Sequence, residues 1–179
     1  LVDRAVKAIT KDGIIDVENN NHNFDVIIYA TGFNPFNILS SMEVKGAEGV
    51  TLADCWQDNI QSHKTVAVSG FPNFFMLLGP NSALGHNSVI LMIEAQVNYI
   101  VKCLKKMRKN GWTSLDPKSV SQDKFNNFIQ KRLQGTVWQG SCSSWYKDDD
   151  EQNFTIWPLS ATRYMLSMRK PDFSEYNVK

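Results

Sequence analysis

The clearest pattern along the chain is a repeat of apolar positions every 3.6 residues between residues 88 and 110. This spacing predicts an amphipathic helix, which Asn87 or Ser88 can cap and which Gly111 can end. Its predicted buried face consists of six residues, which are Ile90, Ile93, Val97, Ile100, Val101 and Leu104.

Two further helices are predicted closer to the end of the chain. The first covers residues 121–133, begins at a potential cap, Ser121, and ends at Gly135. Its predicted inner face is formed by Phe125, Phe128, Ile129 and Leu133. The second is a short helix over residues 159–168, followed by a polar tail.

Short apolar runs between turn residues predict strands near the start of the chain. Asp12-Gly13 lies between two such runs and is a strong hairpin signal. The run Phe24–Ala30 supplies another strand, so residues 4–30 predict a three-stranded meander. In this interpretation the polar residues 19–23 form the second turn.

The middle of the chain predicts two more strands in a mostly irregular segment. Residues 34–69 are irregular, and within them only Thr65–Val68 has the composition of a strand. Phe74–Leu78 is a continuous apolar run closed by Gly79-Pro80, which is typical of a strand covered on both faces.

Two of these predicted strands end in glycine, at Thr31-Gly32 and at Gly79-Pro80. Glycine at the carboxyl end of a strand lets a ligand approach the backbone, and ligands of open α/β sheets bind at that edge. The loop before Ser88 also leads into a helix N-terminus, which carries free N–H groups and partial positive charge. The pattern is consistent with a cradle for a flat, electron-rich ring, and two tight turns without a ligand are an equal alternative.

Composition narrows the functional classes. The 179 residues are 42% hydrophobic and 21% charged, with a net charge of +1, so the chain has the balance of a soluble globular domain. This charge gives no general attraction to nucleic acid. No apolar run reaches the ~20 residues of a membrane span, and no signal-peptide pattern is present, which predicts a cytoplasmic protein. Cys55, Cys103 and Cys142 are widely spaced and are predicted to be reduced thiols.

The sequence contains no recognisable catalytic or metal-binding motif. His22, His63 and His86 have no convincing ligand partner at helical spacing, so no metal site is predicted. Neither a Gly-x-Ser-x-Gly elbow nor a phosphate-binding P-loop occurs, and no catalytic residue is assigned.

Several stretches, in order, resemble one family. Residues 25–33, ending in Ala-Thr-Gly-Phe, resemble the strand that joins the NADP and FAD domains of flavin-dependent monooxygenases. Seven further motifs resemble the C-terminal third of the Baeyer–Villiger branch of this family. They are Gly70-Phe71-Pro72-Asn73-Phe74-Phe75, Gly79-Pro80-Asn81, Gly85-His86-Asn87-Ser88, Ile93-Glu94-Ala95-Gln96, Ser144-Trp145-Tyr146, Asn153 and Trp157-Pro158. The resemblance covers nearly the whole chain, and its ordered set of motifs is specific.

The resemblance implies a fold, cofactors and a reaction. The fold would be α/β: the C-terminal part of an FAD/NAD(P)-binding flavoprotein with two dinucleotide-binding domains, including a β-meander and two main helices. NADPH would reduce FAD, and O2 would then form a flavin C4a-peroxide that inserts one oxygen atom into a ketone. An N- or S-oxygenating monooxygenase acting on a heteroatom, and a non-catalytic binding module, remain alternatives. The oligomeric state is left open.

The resemblance also implies the residues that bind cofactor, which are Thr31, Gly32, Gly79, Pro80, Asn81, Ser88 and Trp145. The loop at Gly79 would lie near the flavin ring, and the helix opening at Ser88 would face the N1–C2 edge, where negative charge builds on reduction. Trp145 resembles a tryptophan of a mobile loop that closes over NADP and substrate, with a packing anchor as an equal alternative.

The chain departs from the family pattern in ways that predict an incomplete site. It contains no Gly-x-Gly-x-x-Gly phosphate grip and no Phe-x-Gly-x-x-x-His-x-x-x-Trp fingerprint. It therefore resembles a C-terminal portion that binds FAD weakly or not at all alone. The predicted parts are residues 1–32 (meander and entering strand), 33–135 (FAD-domain portion) and 136–179 (C-terminal extension).

Overall fold

The computed structural model describes residues 2–30, 42–57, 59–140, 146–147 and 152–179. The chain divides into two compact units, Leu1–Phe33 and Asn34–Lys179. The predicted class is confirmed, since the structure combines a β-meander with two main helices in a mixed α/β arrangement. The finer boundaries at residues 32 and 135 remain a prediction.

The first unit is an antiparallel meander of three short strands. These are β1 (Val6–Thr10), β2 (Gly13–Asp16) and β3 (Asn21–Asn23), paired in the order β1-β2-β3. The turn before Gly13 forms the predicted hairpin, with Thr10 opposite Gly13.

A buried carboxylate organises the second turn of the meander. Asp16 accepts hydrogen bonds from the backbone N–H groups of Glu18 and Asn20, and its Oδ2 lies 2.9 Å from Nε2 of His22. The His22 ring and these N–H groups hold the pKa of Asp16 well below its usual range. Because this turn is tight, residues 21–23 pair antiparallel with β2 directly after it.

The strand predicted over Phe24–Ala30 is wrong. The third strand is Asn21–Asn23. The turn at Asp16 brings these polar residues into register with β2, where they pair with the edge of β2 that β1 leaves open. Within the described part of this unit, the apolar run that follows pairs with no strand. Most of its side chains are exposed, with Val26 at 73% and Ile28 at 84% of full exposure, while Ile27 is partly buried.

The second unit is mainly helical. Its helices are α1 (Leu52–Cys55), α2 (Val89–Asn110), α3 (Ser119–Leu133) and α4 (Ala161–Ser167), with short 3-10 turns at Val137–Gln139 and Phe173–Glu175. Two short strands, β4 (Leu115–Pro117) and β5 (Tyr176–Val178), pair antiparallel and were not predicted. The core lies between α2, α3, α4 and this strand pair.

The bounds predicted for α2 are confirmed, but most of its predicted buried face is wrong. Ser88 caps the helix, and Gly111 ends it in the left-handed conformation at φ 70°. Four of the predicted residues are exposed, namely Ile90, Val97, Val101 and Leu104, whereas the buried residues are Met92, Gln96, Tyr99, Cys103 and Met107.

The physical reason is that α2 has two apolar stripes with the same period. The stripe that turns inward contains Tyr99, whose hydroxyl lies 2.7 Å from the Tyr176 hydroxyl in the core. Burial raises the pKa of both tyrosines above their ordinary range. Period alone does not distinguish two such stripes.

The other predicted elements of this unit are partly confirmed. Helix α3 begins two residues earlier than expected, and Ile129 and Leu133 are buried while Phe128 is exposed. The short helix near the end of the chain is confirmed as α4, which Ser160 caps. Cys103 is a buried free thiol, and burial raises its pKa to about 12, whereas the free thiol of Cys55 is exposed.

The two strands predicted in the middle of the chain, Thr65–Val68 and Phe74–Leu78, are wrong. The first is a tight turn in which His63 donates its N–H to the carbonyl of Ala67 at 2.7 Å. Left-handed residues break both runs, with φ of 64° at Thr65 and 52° at Leu78. The second run has no regular secondary structure, and the side chains of Leu77 and Leu78 are nearly half exposed.

Candidate functional site

The candidate loop that runs from Gly79 to Ser88 begins with buried residues. Gly79 and Pro80 are buried, and Asn81 is 1% exposed. A Cβ atom at Gly79 would lie 2.4 Å from the backbone oxygen of Thr65 and 2.7 Å from Sδ of Met76. Glycine is needed here because a neighbouring backbone passes too close for any side chain.

Asn81 connects this loop to a distant part of the chain. Its side-chain Nδ2 donates to the carbonyls of Asn153 at 2.8 Å and Ile156 at 3.2 Å. Its backbone N–H donates to the carbonyl of Phe154. Asn153 is itself fully buried, and its Oδ1 accepts the N–H groups of Thr155 and Ile156. The side chain of Asn81 is therefore bound within the protein.

Replacing this asparagine tests the clamp. We expect Asn81→Ala to lower the free energy of unfolding by about 2 kcal/mol, because the buried carbonyl of Ile156 loses this donor and the carbonyl of Asn153 keeps its bond from Nε2 of Gln130 but loses the shorter one. Asn81→Gly keeps that loss but accepts the observed φ of 60°, so it should be the milder variant. Urea denaturation measures both, with the exposed Asn98→Ala as control. An Asn81→Ala variant as stable as the control would contradict this role.

A buried chain of polar groups lies behind the loop. Oε1 of Gln96 accepts the N–H of Leu78 at 2.9 Å, and Nε2 of Gln96 donates to Oγ1 of Thr65 at 3.1 Å. The Thr65 hydroxyl lies 2.5 Å from the Tyr164 hydroxyl. Burial raises the pKa of Tyr164 to about 12, so at neutral pH these three hydrogen-bonded side chains are uncharged.

The start of α2 is the accessible end of the loop. His86, Asn87 and Ser88 are exposed, and Ser88 Oγ accepts the N–H of Ile90 at 3.3 Å. The first turn contains no acidic residue, so no side chain of that turn neutralises the positive end of the helix dipole. This end can receive an electron-rich group.

The four predicted site residues that the structure describes lie in two places: Gly79, Pro80 and Asn81 are buried, whereas Ser88 is exposed at the start of α2. Leu78 contacts α2 at Gln96, which lies eight residues beyond Ser88, a rise of about 12 Å along a helix. Thr31, Gly32 and Trp145 lie outside the described residues. The assignment of all seven residues to cofactor binding stays a prediction.

The sequence prediction gave no site role to the residues that hold the loop by hydrogen bonds, which are Gln96, Thr65, Tyr164 and Asn153, although Gln96 and Asn153 belong to the motifs of the resemblance. One signal was available for Gln96. It shares a helical stripe with Met92, Tyr99 and Cys103, and a polar residue in an apolar stripe has to find a partner.

The structure also contains a cavity of about 560 Å³ away from this loop. It lies beside Phe71 and Pro72, with Cys55 and Asp116 among its other lining residues. Burial raises the pKa of Asp116. Of the predicted site residues, the four that the structure describes, Gly79, Pro80, Asn81 and Ser88, do not line this cavity.

Comparison with known proteins gives consistent matches. No family model matches the chain. A Baeyer–Villiger monooxygenase of Pseudomonas aeruginosa is 35% identical over 180 residues, covering 99% of this chain and 34% of that protein. A Baeyer–Villiger monooxygenase of Streptomyces coelicolor is 38% identical over 156 residues, covering 86% of this chain and 30% of that protein. The chain therefore spans about a third of the length of these curated relatives.

Solved structures share the fold. A crystal structure of OTEMO in complex with FAD and NADP matches with a TM-score of 0.76 and 20% identity, over 99% of this chain and 34% of that chain. Cyclohexanone-bound cyclohexanone monooxygenase matches with a TM-score of 0.74 and 21% identity, over 99% and 33%. The resemblance drawn from the ordered sequence motifs is confirmed. Among the described residues, the structure has no helix that is both long and apolar enough to cross a membrane.

Proposed function

Because the chain is related over 99% of its length to a Baeyer–Villiger monooxygenase, we propose that it is part of an FAD- and NADPH-dependent monooxygenase. The proposed enzyme inserts one oxygen atom of O2 into a ketone. The observation that carries the proposal is the 35% identity to that relative, joined to a fold shared with a cyclohexanone-bound enzyme.

The residues present fit one edge of a flavin. Helix α2 has 22 residues, and its N-terminus is exposed with no carboxylate in the first turn. Such an end favours the edge of a ring on which negative charge builds. Gly79 and Asn81 are internal, so their part is to hold the loop that leads to Ser88. When bound, FAD supplies the redox chemistry, reduced by NADPH and reoxidised by O2.

The chain's own groups do not act as acids or bases in this proposal. The Gln96–Thr65–Tyr164 chain is uncharged at neutral pH, so it orients the backbone rather than moving a proton. Ser88 caps the helix by accepting the N–H of Ile90 and thereby fixes where its first turn begins. The proposed role of this part is to bind and orient the ring edge.

The proposal includes a cytoplasmic location, which the free thiols of Cys55 and Cys103 support. It also includes NADPH and a small ketone as partners of the whole enzyme. The exposed apolar stripe of α2, with Leu104 at 50% exposure, supports a protein that continues beyond this unit, because such a stripe normally packs against another surface.

Assay of the full-length protein tests the function. With NADPH and O2, the purified protein is expected to convert ketones into esters or lactones and to carry FAD. Sulfoxide formation without ester formation would instead indicate a heteroatom-oxygenating enzyme. Absence of both flavin and NADPH oxidation would indicate a non-catalytic binding module. The isolated 179-residue chain is expected to elute from gel filtration without yellow flavin.

A further inference from the structure

We propose that Gln96 is a positioning residue. It fixes the position of the Leu78–Asn81 loop relative to α2 and, through that loop, the environment of the bound flavin. The inference rests on the proposed function, since the flavin contact comes from there. Gln96 is fully buried, although it lies in the middle of a 22-residue helix. A buried amide at such a position is retained at a cost unless each polar atom has a partner.

The first part of the argument is what Gln96 holds. Its Oε1 accepts the N–H of Leu78 at 2.9 Å. Leu78 has a φ of 52°, a conformation that residues with a side chain rarely adopt, and its side chain is 45% exposed. Apolar packing therefore contributes little at this residue. The hydrogen bond to Gln96 compensates for the strained backbone and fixes the loop immediately before Gly79.

The second part is what holds Gln96. Its Nε2 donates to Oγ1 of Thr65, and that hydroxyl is bound to Tyr164 of α4. Thr65 also packs against the loop directly, because its backbone oxygen lies 2.4 Å from the position that a Cβ of Gly79 would take. Thr65 and Leu78 are both left-handed, so a single amide bridges two strained backbone positions.

The amide is suited to this position by its chemistry. One end has to accept from a backbone N–H, and the other donates toward a hydroxyl. Leucine has the same approximate volume but neither group, so it would remove the acceptor of the Leu78 N–H. Glutamate keeps the acceptor for Leu78, and because burial favours the protonated acid, its O–H can replace the amide donor toward Thr65.

The chain offers a matched control on another helix. Gln122 of α3 also accepts a backbone N–H through its Oε1, in this case from Ser69 at 2.8 Å. Gln122→Leu therefore removes the same kind of bond, but at a loop that contains none of residues 78–81. Loss of stability alone would affect both variants in the same way.

The experiment uses the full-length protein with and without FAD. Hydrogen exchange at the Leu78 amide is expected to rise about tenfold in Gln96→Leu and to stay near wild type in Gln122→Leu. In the FAD-bound protein, Gln96→Leu is expected to shift the visible absorbance maxima of the flavin and to weaken FAD binding about tenfold. Gln96→Glu is expected to restore most of both properties.

Three results would overturn the inference. Unchanged Leu78 exchange in Gln96→Leu would show that the amide does not hold the loop. Faster exchange with an unchanged flavin spectrum and unchanged FAD affinity would show a purely structural role. If the wild-type protein binds no FAD, the proposed function fails and the inference fails with it. The first two results leave the proposed function standing.

Discussion

Gly79→Ala is expected to lower the free energy of unfolding of the 34–179 unit by about 3 kcal/mol or more, the upper range of overpacking effects. The added methyl group would lie 2.4 Å from the backbone oxygen of Thr65. That oxygen belongs to a turn closed by backbone hydrogen bonds between His63 and Ala67, so it cannot move aside without opening the turn. The nearby Met76 side chain can rotate, but the carbonyl cannot.

Tryptophan fluorescence during urea denaturation measures this effect selectively. All five tryptophans belong to the 34–179 unit, namely Trp56, Trp112, Trp138, Trp145 and Trp157. Gly140→Ala is the control, because the nearest atom to its added Cβ among the described residues is the Val137 oxygen at 3.4 Å, and its φ is −59°. Equal midpoints for the two variants would show that the turn yields to the methyl group.

Acidification is expected to destabilise the same unit between pH 6.5 and about pH 4 through His63. This histidine is fully buried, with its ring against Phe125 and Tyr176. Burial first, and then the Lys64 ammonium, lower its pKa from 6.5 to about 4. Glu175 Oε2 lies 3.3 Å from Nε2, but this carboxylate does not offset the burial of the ring.

The sign follows from which state binds the proton. Between the two pKa values the unfolded chain binds a proton at His63 and the folded chain does not, so stability rises with pH in this window. The contribution is complete above about pH 6.5 and is lost as the pH falls toward 4, a change on the order of 3 kcal/mol. His63→Phe should flatten this part of the pH profile.

The control for the acid effect is another histidine of the same unit. His86→Gln changes an exposed loop residue and should leave the dependence of stability on pH as in wild type. If His63→Phe and wild type lose stability in parallel from pH 6.5 to 4, another group carries the acid sensitivity.

Local signals in the sequence predict the bounds of α2 well, because a cap and an end glycine act within one turn, but the predicted cap of α3, Ser121, lies inside that helix. Ser88 and Gly111 define α2 correctly for this reason. The buried face of α2 is decided by a partner 77 positions away, the hydroxyl of Tyr176, and no local period reveals it. The same holds for β4 and β5, whose pairing joins residues about 60 positions apart.

The strands predicted at Thr65–Val68 and Phe74–Leu78 fail for a different reason. Composition favours extended backbone there, but Thr65 and Leu78 adopt left-handed φ, which β-branched and bulky residues rarely do. Tertiary hydrogen bonds to Gln96 and Tyr164 hold this arrangement. Local strain of this kind lies where the sequence placed the candidate site, at the approach to Gly79.

The pairing of β5 with β4 has a consequence for synthesis. Tyr176 completes the core by filling the space beside Tyr99, and residues 176–178 supply the only described strand opposite Leu115–Pro117. A ribosome-bound chain can form α2 and α3 early, because their contacts are local. It cannot close this unit until residue 178 has left the exit tunnel, so a chaperone that shields apolar surface would act on the unfinished chain.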